Sequence, residues 1–155
     1  MDYQAIRRVL TALEREGVRY KIFGGVALNL HGLARATEDI DLFVAPEPNN
    51  IERLRRALRS VYDDPHIEEI DTVDLLGDYP AVQYVPPEGD FHLDILTRLG
   101  EAFDFDSLVA QRLDYDGLEV SVVTPRMLFE MKKGTVRERD RGDAERLALR
   151  FGFEE

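Results

Sequence analysis

The stretch Arg35–Val44, "RATEDIDLFV", decides how the rest of the chain is read. Two acids, Asp39 and Asp41, sit at the mouth of an apolar run that otherwise has the pattern of a buried strand. Residues two apart on a strand face the same way, so Asp39 and Asp41 project side by side while Ile40 and Leu42 enter the core. Neighbouring anions repel, and charge taken out of water needs a partner. That partner must come from elsewhere in the chain or from a bound cation.

A third acid has the same setting. In Phe91–Leu99, "FHLDILTRL", Asp94 alternates with Leu93 and Ile95 as Asp39 and Asp41 alternate with Ile40 and Leu42. If the two strands are neighbours in one sheet, three carboxylates converge on one face. They could then hold two divalent cations at the roughly 3.5–4 Å separation of two-metal phosphoryl-transfer sites. An all-oxygen ligand set suits Mg²⁺ or Mn²⁺. The histidines His31, His66 and His92 are scattered and none is read as a ligand, although His92 shares a strand face with Asp94.

Upstream, Phe23–Gly32 reads "FGGVALNLHG", with Gly24 and Gly25 between a short strand and a short helix. Free N–H groups at a helix start favour an anion, so this turn can cradle a triphosphate. The same pair also serves simply to make a tight turn.

Outward from these motifs, Ile6, Val9, Leu10 and Leu13 have helical spacing, and Gly17 stands where that helix would end. The spacing predicts a second helix from Asn50 to Tyr62, with Ile51, Leu54, Leu58 and Val61 inward and Arg53, Arg56 and Arg59 on a solvated face. A helical turn is expected around Val73–Leu76. Strands are expected on either side of the Pro-Pro-Glu-Gly turn that ends at Gly89, and a hairpin on Asp116-Gly117. Two helices finish the chain. One is capped at Thr124-Pro125 and runs through Met131, and the other carries Ala144, Leu147, Ala148 and Phe151.

Composition agrees with one mixed α/β domain spanning residues 1–155. Apolar residues make up 44% and charged residues 33%, too apolar for a disordered chain. There is no cysteine, which excludes disulfides and thiolate metal sites. Neither a signal-length apolar segment nor a membrane span is present, so the expected location is the cytoplasm, with no membrane partner. The net charge of −11 argues against a protein that coats nucleic acid through a broad basic surface.

The stretch "GGVALNLHGLARATEDIDLFV" resembles the signature of the DNA polymerase β nucleotidyltransferase superfamily. Its members show GG or GS, a short helix, and then DxD on a strand. The similarity is greatest to the small bacterial branch that includes AbiEii-type toxins of toxin–antitoxin systems, where R-x-T-x precedes the acids. In that branch a late helix carries lysine, then arginine and aspartate, and "MKKGTVRERDRGD" fits with Lys132, Arg137, Asp140 and Asp143.

The resemblance implies a nucleotidyltransferase fold with a mixed sheet and helices packed on it. It implies that Gly24 and Gly25 hold phosphates and that Asp39, Asp41 and Asp94 bind metal, Asp94 also helping to deprotonate the acceptor. Arg35 and Thr37 would steady the nucleotide or the DxD strand. Lys132 would neutralise triphosphate charge; its choice over Lys133 rests on motif register.

The implied activity is Mg²⁺- or Mn²⁺-dependent transfer of a nucleoside monophosphate from a triphosphate to a hydroxyl. The acceptor would be an RNA end, a protein or a small molecule, and a cognate antitoxin or other partner protein is a possible companion. Two departures stand out. Gly25 replaces the serine found in many members, leaving backbone N–H groups to hold phosphate, and the long helical carboxy-terminal region of larger toxins is not expected after Phe151. Asp140 and Asp143 have a plainer reading as charges at the amino end of the last helix. The competing function is a non-catalytic nucleotide-binding or antitoxin-like protein that keeps the fold. Three converging acids speak against it, since such a protein has no chemical need for them.

Overall fold

The computed structural model describes residues 3–77, 80–88, 90–133 and 137–154. Helix α1 (Tyr3–Arg15) buries Ile6, Val9, Leu10 and Leu13 along one stripe. Gly17 follows at φ 69°, a left-handed turn that sends the chain into β1 (Tyr20–Phe23). Helix α2 (Gly24–Leu30) starts without an intervening loop, and β2 (Asp39–Val44) carries the two acids. Pro48 begins α3 (Pro48–Val61), where a missing N–H costs nothing.

A 3₁₀ turn (Pro65–Glu69) and the short α4 (Thr72–Leu76) come next, each opened by an aspartate, Asp64 or Asp71, whose side chain accepts a backbone N–H. Then come β3 (Ala81–Tyr84) and β4 (His92–Leu96), followed by a two-strand hairpin of β5 (Arg98–Leu99) and β6 (Phe103–Asp104) that the sequence pattern does not predict. Gly89, the last residue of the expected Pro-Pro-Glu-Gly turn, lies outside the described residues. The hairpin of β7 (Ala110–Tyr115) and β8 (Leu118–Val123) turns on Asp116 at φ 52° and Gly117 at φ 88°, the two positive angles that a tight hairpin demands. Thr124 caps α5 (Pro125–Lys132) by accepting the N–H of Met127, and α6 (Glu138–Phe151) completes the elements.

The main sheet is six-stranded and mixed, in the order β3-β4-β2-β1-β8-β7. Strand β2 lies between β1, to which it is antiparallel, and β4, to which it is parallel. Alternation divides its side chains: Ile40 and Leu42 are fully buried, while Asp39 and Asp41 are partly exposed. Ile22, Leu93 and Ile95 join Ile40 and Leu42 in a core shared with Leu10 and Leu13 of α1 and Leu54 and Leu58 of α3.

The one fully buried asparagine fastens this arrangement. Asn50 donates to the carbonyls of Arg19 and Ala45 at 3.0 and 3.1 Å and accepts the N–H of Arg19, so burying its amide costs little. Arg53, Arg56 and Arg59 point outward as expected, and Arg59 is bound by Glu52 and Glu68. Among the described residues no helix is long and apolar enough to cross a membrane.

Candidate active site

Parallel pairing of β2 with β4 sets Asp41 directly opposite Asp94 and Asp39 opposite His92. The period of two then turns all four side chains to one face of the sheet, opposite the buried Ile40 and Leu93. Crowding has an electrostatic consequence. Burial, together with the negative charges of Asp94 and Asp39, pushes the Asp41 carboxyl up to about 7, and the nearby Lys132 charge opposes the shift only in part.

His92, which sequence reasoning did not read as a ligand, is in the cluster. Its Nε2 lies 2.8 Å from Asp39 Oδ1 and 3.6 Å from Asp94 Oδ2. Asp39, His92 and Asp94 each present one ligand atom within 4.8 Å of the others. The only advance signal was that His92 precedes Asp94 by two residues. The other two histidines are elsewhere: His31 Nε2 is 2.8 Å from the carbonyl of Val123, and His66 faces Glu69 at the surface.

Gly24 and Gly25 are the first two residues of α2 rather than a separate turn before it, and their role is close approach. Gly24 has φ 71°, and a Cβ there would lie 2.0 Å from Asp41 Oδ2. Only glycine suits both the backbone angle and the space. At Gly25 a Cβ would come within 3.0 Å of the side chain of Thr37. The Thr37 hydroxyl is 3.3 Å from the N–H of Asp39, from which it accepts, and so braces the start of the acid-bearing strand.

Lys132 ends α5 and points into the cleft, donating to Asp140 at 3.0 Å and Asp143 at 3.1 Å. Asp143 is only 4% exposed and also meets Arg35 Nε at 3.4 Å. Asp140 belongs to the first turn of α6, as the plainer sequence reading expected, but Asp143 lies deeper and is an ion-pair hub. Residues 134–136, inside the late motif, lie outside the described residues. Helix α6 is further tied to the segment before β2 by Arg146, which donates to the carbonyl of Ala34 at 2.7 Å. Lys133 takes no part: it pairs with Glu130 at 2.8 Å.

Two recesses flank the acids. The larger, of about 420 Å³, runs from Gly24 and Gly25 past Asp39, Asp41 and Asp94 and is bordered by Arg35, Lys132, Arg137, Arg139 and Asp140. The smaller, of about 330 Å³, lies between Phe23, Val82, Gln83 and Leu96, with Asp41 and Asp94 at its edge and no cationic side chain among the described residues that line it. A divalent cation fits the donor set. Asp39, Asp41 and Asp94 share one face of the sheet, Gly24 leaves room for no side chain against Asp41, and burial together with the neighbouring acids holds Asp41 back from ionising.

The family model described as nucleotidyl transferase AbiEii toxin, Type IV TA system, matches residues 9–143. No curated protein matches the chain in sequence. Solved structures share its fold at low identity. ANT(2")-Ia in complex with adenylyl-2"-tobramycin is 15% identical with a TM-score of 0.59, over 97% of this chain and 91% of that one. An antigenic nucleotidyltransferase-like protein from Paracoccidioides brasiliensis is 18% identical with a TM-score of 0.56, over 94% and 75%. TM1012 from Thermotoga maritima is 13% identical with a TM-score of 0.56, over 96% and 92%.

Proposed function

The chain belongs to the AbiEii nucleotidyl transferase toxin family, and on that premise we propose that residues 1–155 form one cytoplasmic nucleotidyltransferase domain that moves a nucleoside monophosphate from a triphosphate to an acceptor hydroxyl. The observation that carries the reading is the register of β2 on β4, which gathers Asp39, Asp41 and Asp94 beside Gly24. Asp39, Asp41 and Asp94 would hold Mg²⁺ or Mn²⁺. Bound there, the cations would supply countercharge to the carboxylates and the triphosphate and acidify the attacking hydroxyl.

The division of charge between the two recesses supports the placement of substrates. The triphosphate lies in the larger recess, the one bordered by basic side chains, against the backbone of Gly24 and Gly25, with bound cations and Lys132 and Arg35 beside it. The acceptor enters from the recess of Phe23, Val82 and Gln83, where no cationic side chain among the described residues would attract a phosphate backbone. Its hydroxyl oxygen bonds to the α-phosphorus, the bond from that phosphorus to the bridging oxygen of the β-phosphate breaks, and pyrophosphate leaves. The hydroxyl proton passes toward Asp94. A neutral or cationic acceptor, small molecule or protein, suits this recess better than bulk RNA, and the net charge of −11 acts in the same direction. The family's toxin–antitoxin description adds a cognate antitoxin or other partner protein as the companion of this domain.

The test is incubation with labelled ATP, CTP, GTP and UTP in a lysate with Mg²⁺ or Mn²⁺, beside Asp41→Asn. One triphosphate should label an acceptor, and the substitution should cut transfer by at least about 10²-fold, the scale of losing one group aimed at transition-state charge. Absence of labelling with every triphosphate and both metals refutes the reading.

A further inference from the structure

We infer that the metal site is not an all-oxygen site: His92 is a direct ligand, and together with Asp39 and Asp94 it takes a first-row transition dication, Mn²⁺ or Zn²⁺, in preference to Mg²⁺. This rests on the reading that the cleft binds divalent cations, and it changes which cation and through which atoms. The register is the first ground. Opposite Asp39 and two residues before Asp94, His92 has no other face of the sheet to occupy, and its Nε2 points between the two carboxylates.

Distance is the second ground. With metal–ligand bonds near 2.1 Å, neighbouring ligand atoms sit about 3.0 Å apart at an octahedral right angle and about 3.4 Å apart at a tetrahedral angle. The observed 2.8 and 3.6 Å separations from Nε2 to the two carboxylate oxygens bracket those values. Donor chemistry is the third. Imidazole nitrogen adds little for the hard, reluctantly dehydrated Mg²⁺ but is a preferred ligand of Zn²⁺ and its neighbours in the first row. The alternative is that His92 only hydrogen-bonds Asp39 and orients it. A neutral imidazole has a single N–H, and such an orienting bond would serve every metal alike.

Two measurements decide. Electron spin-echo spectroscopy of Mn²⁺ bound to the unaltered protein should show the ¹⁴N coupling of a directly bound imidazole. Calorimetric titration of Mg²⁺ and Zn²⁺ into the protein and into His92→Ala should show Zn²⁺ affinity falling at least about tenfold while Mg²⁺ affinity stays within about twofold. Equal losses for both metals, or no loss for either, assign His92 to an orienting role and overturn the inference. So does absence of the ¹⁴N coupling, which needs no variant and stands even if His92→Ala folds poorly. If Mg²⁺ binds and transfer proceeds without that coupling, the proposed function stands and this inference alone falls. If no cation binds at all, both fall.

Discussion

The cleft holds two groups of carboxylates that are balanced in opposite ways. On α6, Asp140 and Asp143 face Lys132, Arg35 and Arg137, so their charge is met within the protein. On β2 and β4, Asp39, Asp41 and Asp94 face one another, with His92 inserted, the Gln83 amide donating to Asp94 at 3.5 Å and Lys132 acting from the side. The compensated group joins elements distant in sequence and acts as a clamp. In the second group Asp41 resists ionisation, and strongly perturbed carboxylates in a cleft mark a functional-site candidate. Removing an acid should therefore have opposite effects on stability in the two places.

The largest stability effect is expected at Asp143. Asp143→Ala leaves Arg35 and Lys132, both largely buried, without their shared anion. Breaking one side of a buried pair costs roughly 3 kcal/mol or more, because the remaining charge is stranded. Denaturant unfolding of the two proteins side by side measures it. A loss under about 1 kcal/mol would show that α6 is held by Arg146 and its apolar face instead.

At Asp41 the sign reverses. Its pKa is ordinarily 3.8 and is pushed up to about 7 in the folded protein, so folding favours the protonated acid. That contribution is fully present below pH 3.8 and is lost as pH rises through about 7. Metal-free protein should lose stability across that window, by at most about 1.4 kcal/mol per pH unit. Asp41→Asn, which cannot ionise, should flatten the profile and melt at or above the parent at neutral pH, while saturating Mg²⁺ or Mn²⁺ should raise the parent more than the variant. A variant that melts well below the parent at pH 8 without metal would make Asp41 a structural carboxylate.

The same contrast explains what could be read from sequence. Alternation is local, so Ile40 and Leu42 inward with Asp39 and Asp41 outward was legible, as was Asp94 on its own strand. The helical stripes of α1 and α3 and the Asp116-Gly117 turn were legible for the same reason. Register between strands is not local. That β2 pairs in parallel with β4 while lying antiparallel to β1 follows from how the sheet is threaded, and only that pairing brings His92 to Asp39. Gly24 was legible as a glycine at a strand–helix junction. Its left-handed φ against the Asp41 carboxylate was not, because the contact spans residues far apart in the chain. For Asp143 the motif reading beside Lys132 fits better than the plainer one of a charge at a helix start, but nothing in "RERDRGD" reveals that Arg35 comes from the other side of the fold to meet it.

The smallest effect is expected at Lys133, where it sharpens the assignment of its neighbour. Lys132 and Lys133 are told apart in sequence by motif register alone, but α5 turns about 100° per residue and so sends them different ways. Lys132 enters the cleft between Asp140 and Asp143, with its side chain 13% exposed. The Lys133 side chain is 44% exposed, pairs with Glu130 one turn back, and lies 5.5 Å from the centre of the Phe129 ring. An exposed pair of that kind contributes about 0–0.5 kcal/mol, and the ring contact adds little while solvated. Lys133→Ala should therefore shift the unfolding midpoint barely and leave transfer unchanged. Lys132→Ala should lower transfer by about 10²-fold, because it removes a cation facing the triphosphate and unbalances the clamp that holds it there. The comparison needs both variants in one transfer assay at saturating metal. Equal losses would mean that neither lysine meets substrate alone and that the end of α5 acts through its summed charge; a loss confined to Lys133 would mean that α5 rotates when the triphosphate binds.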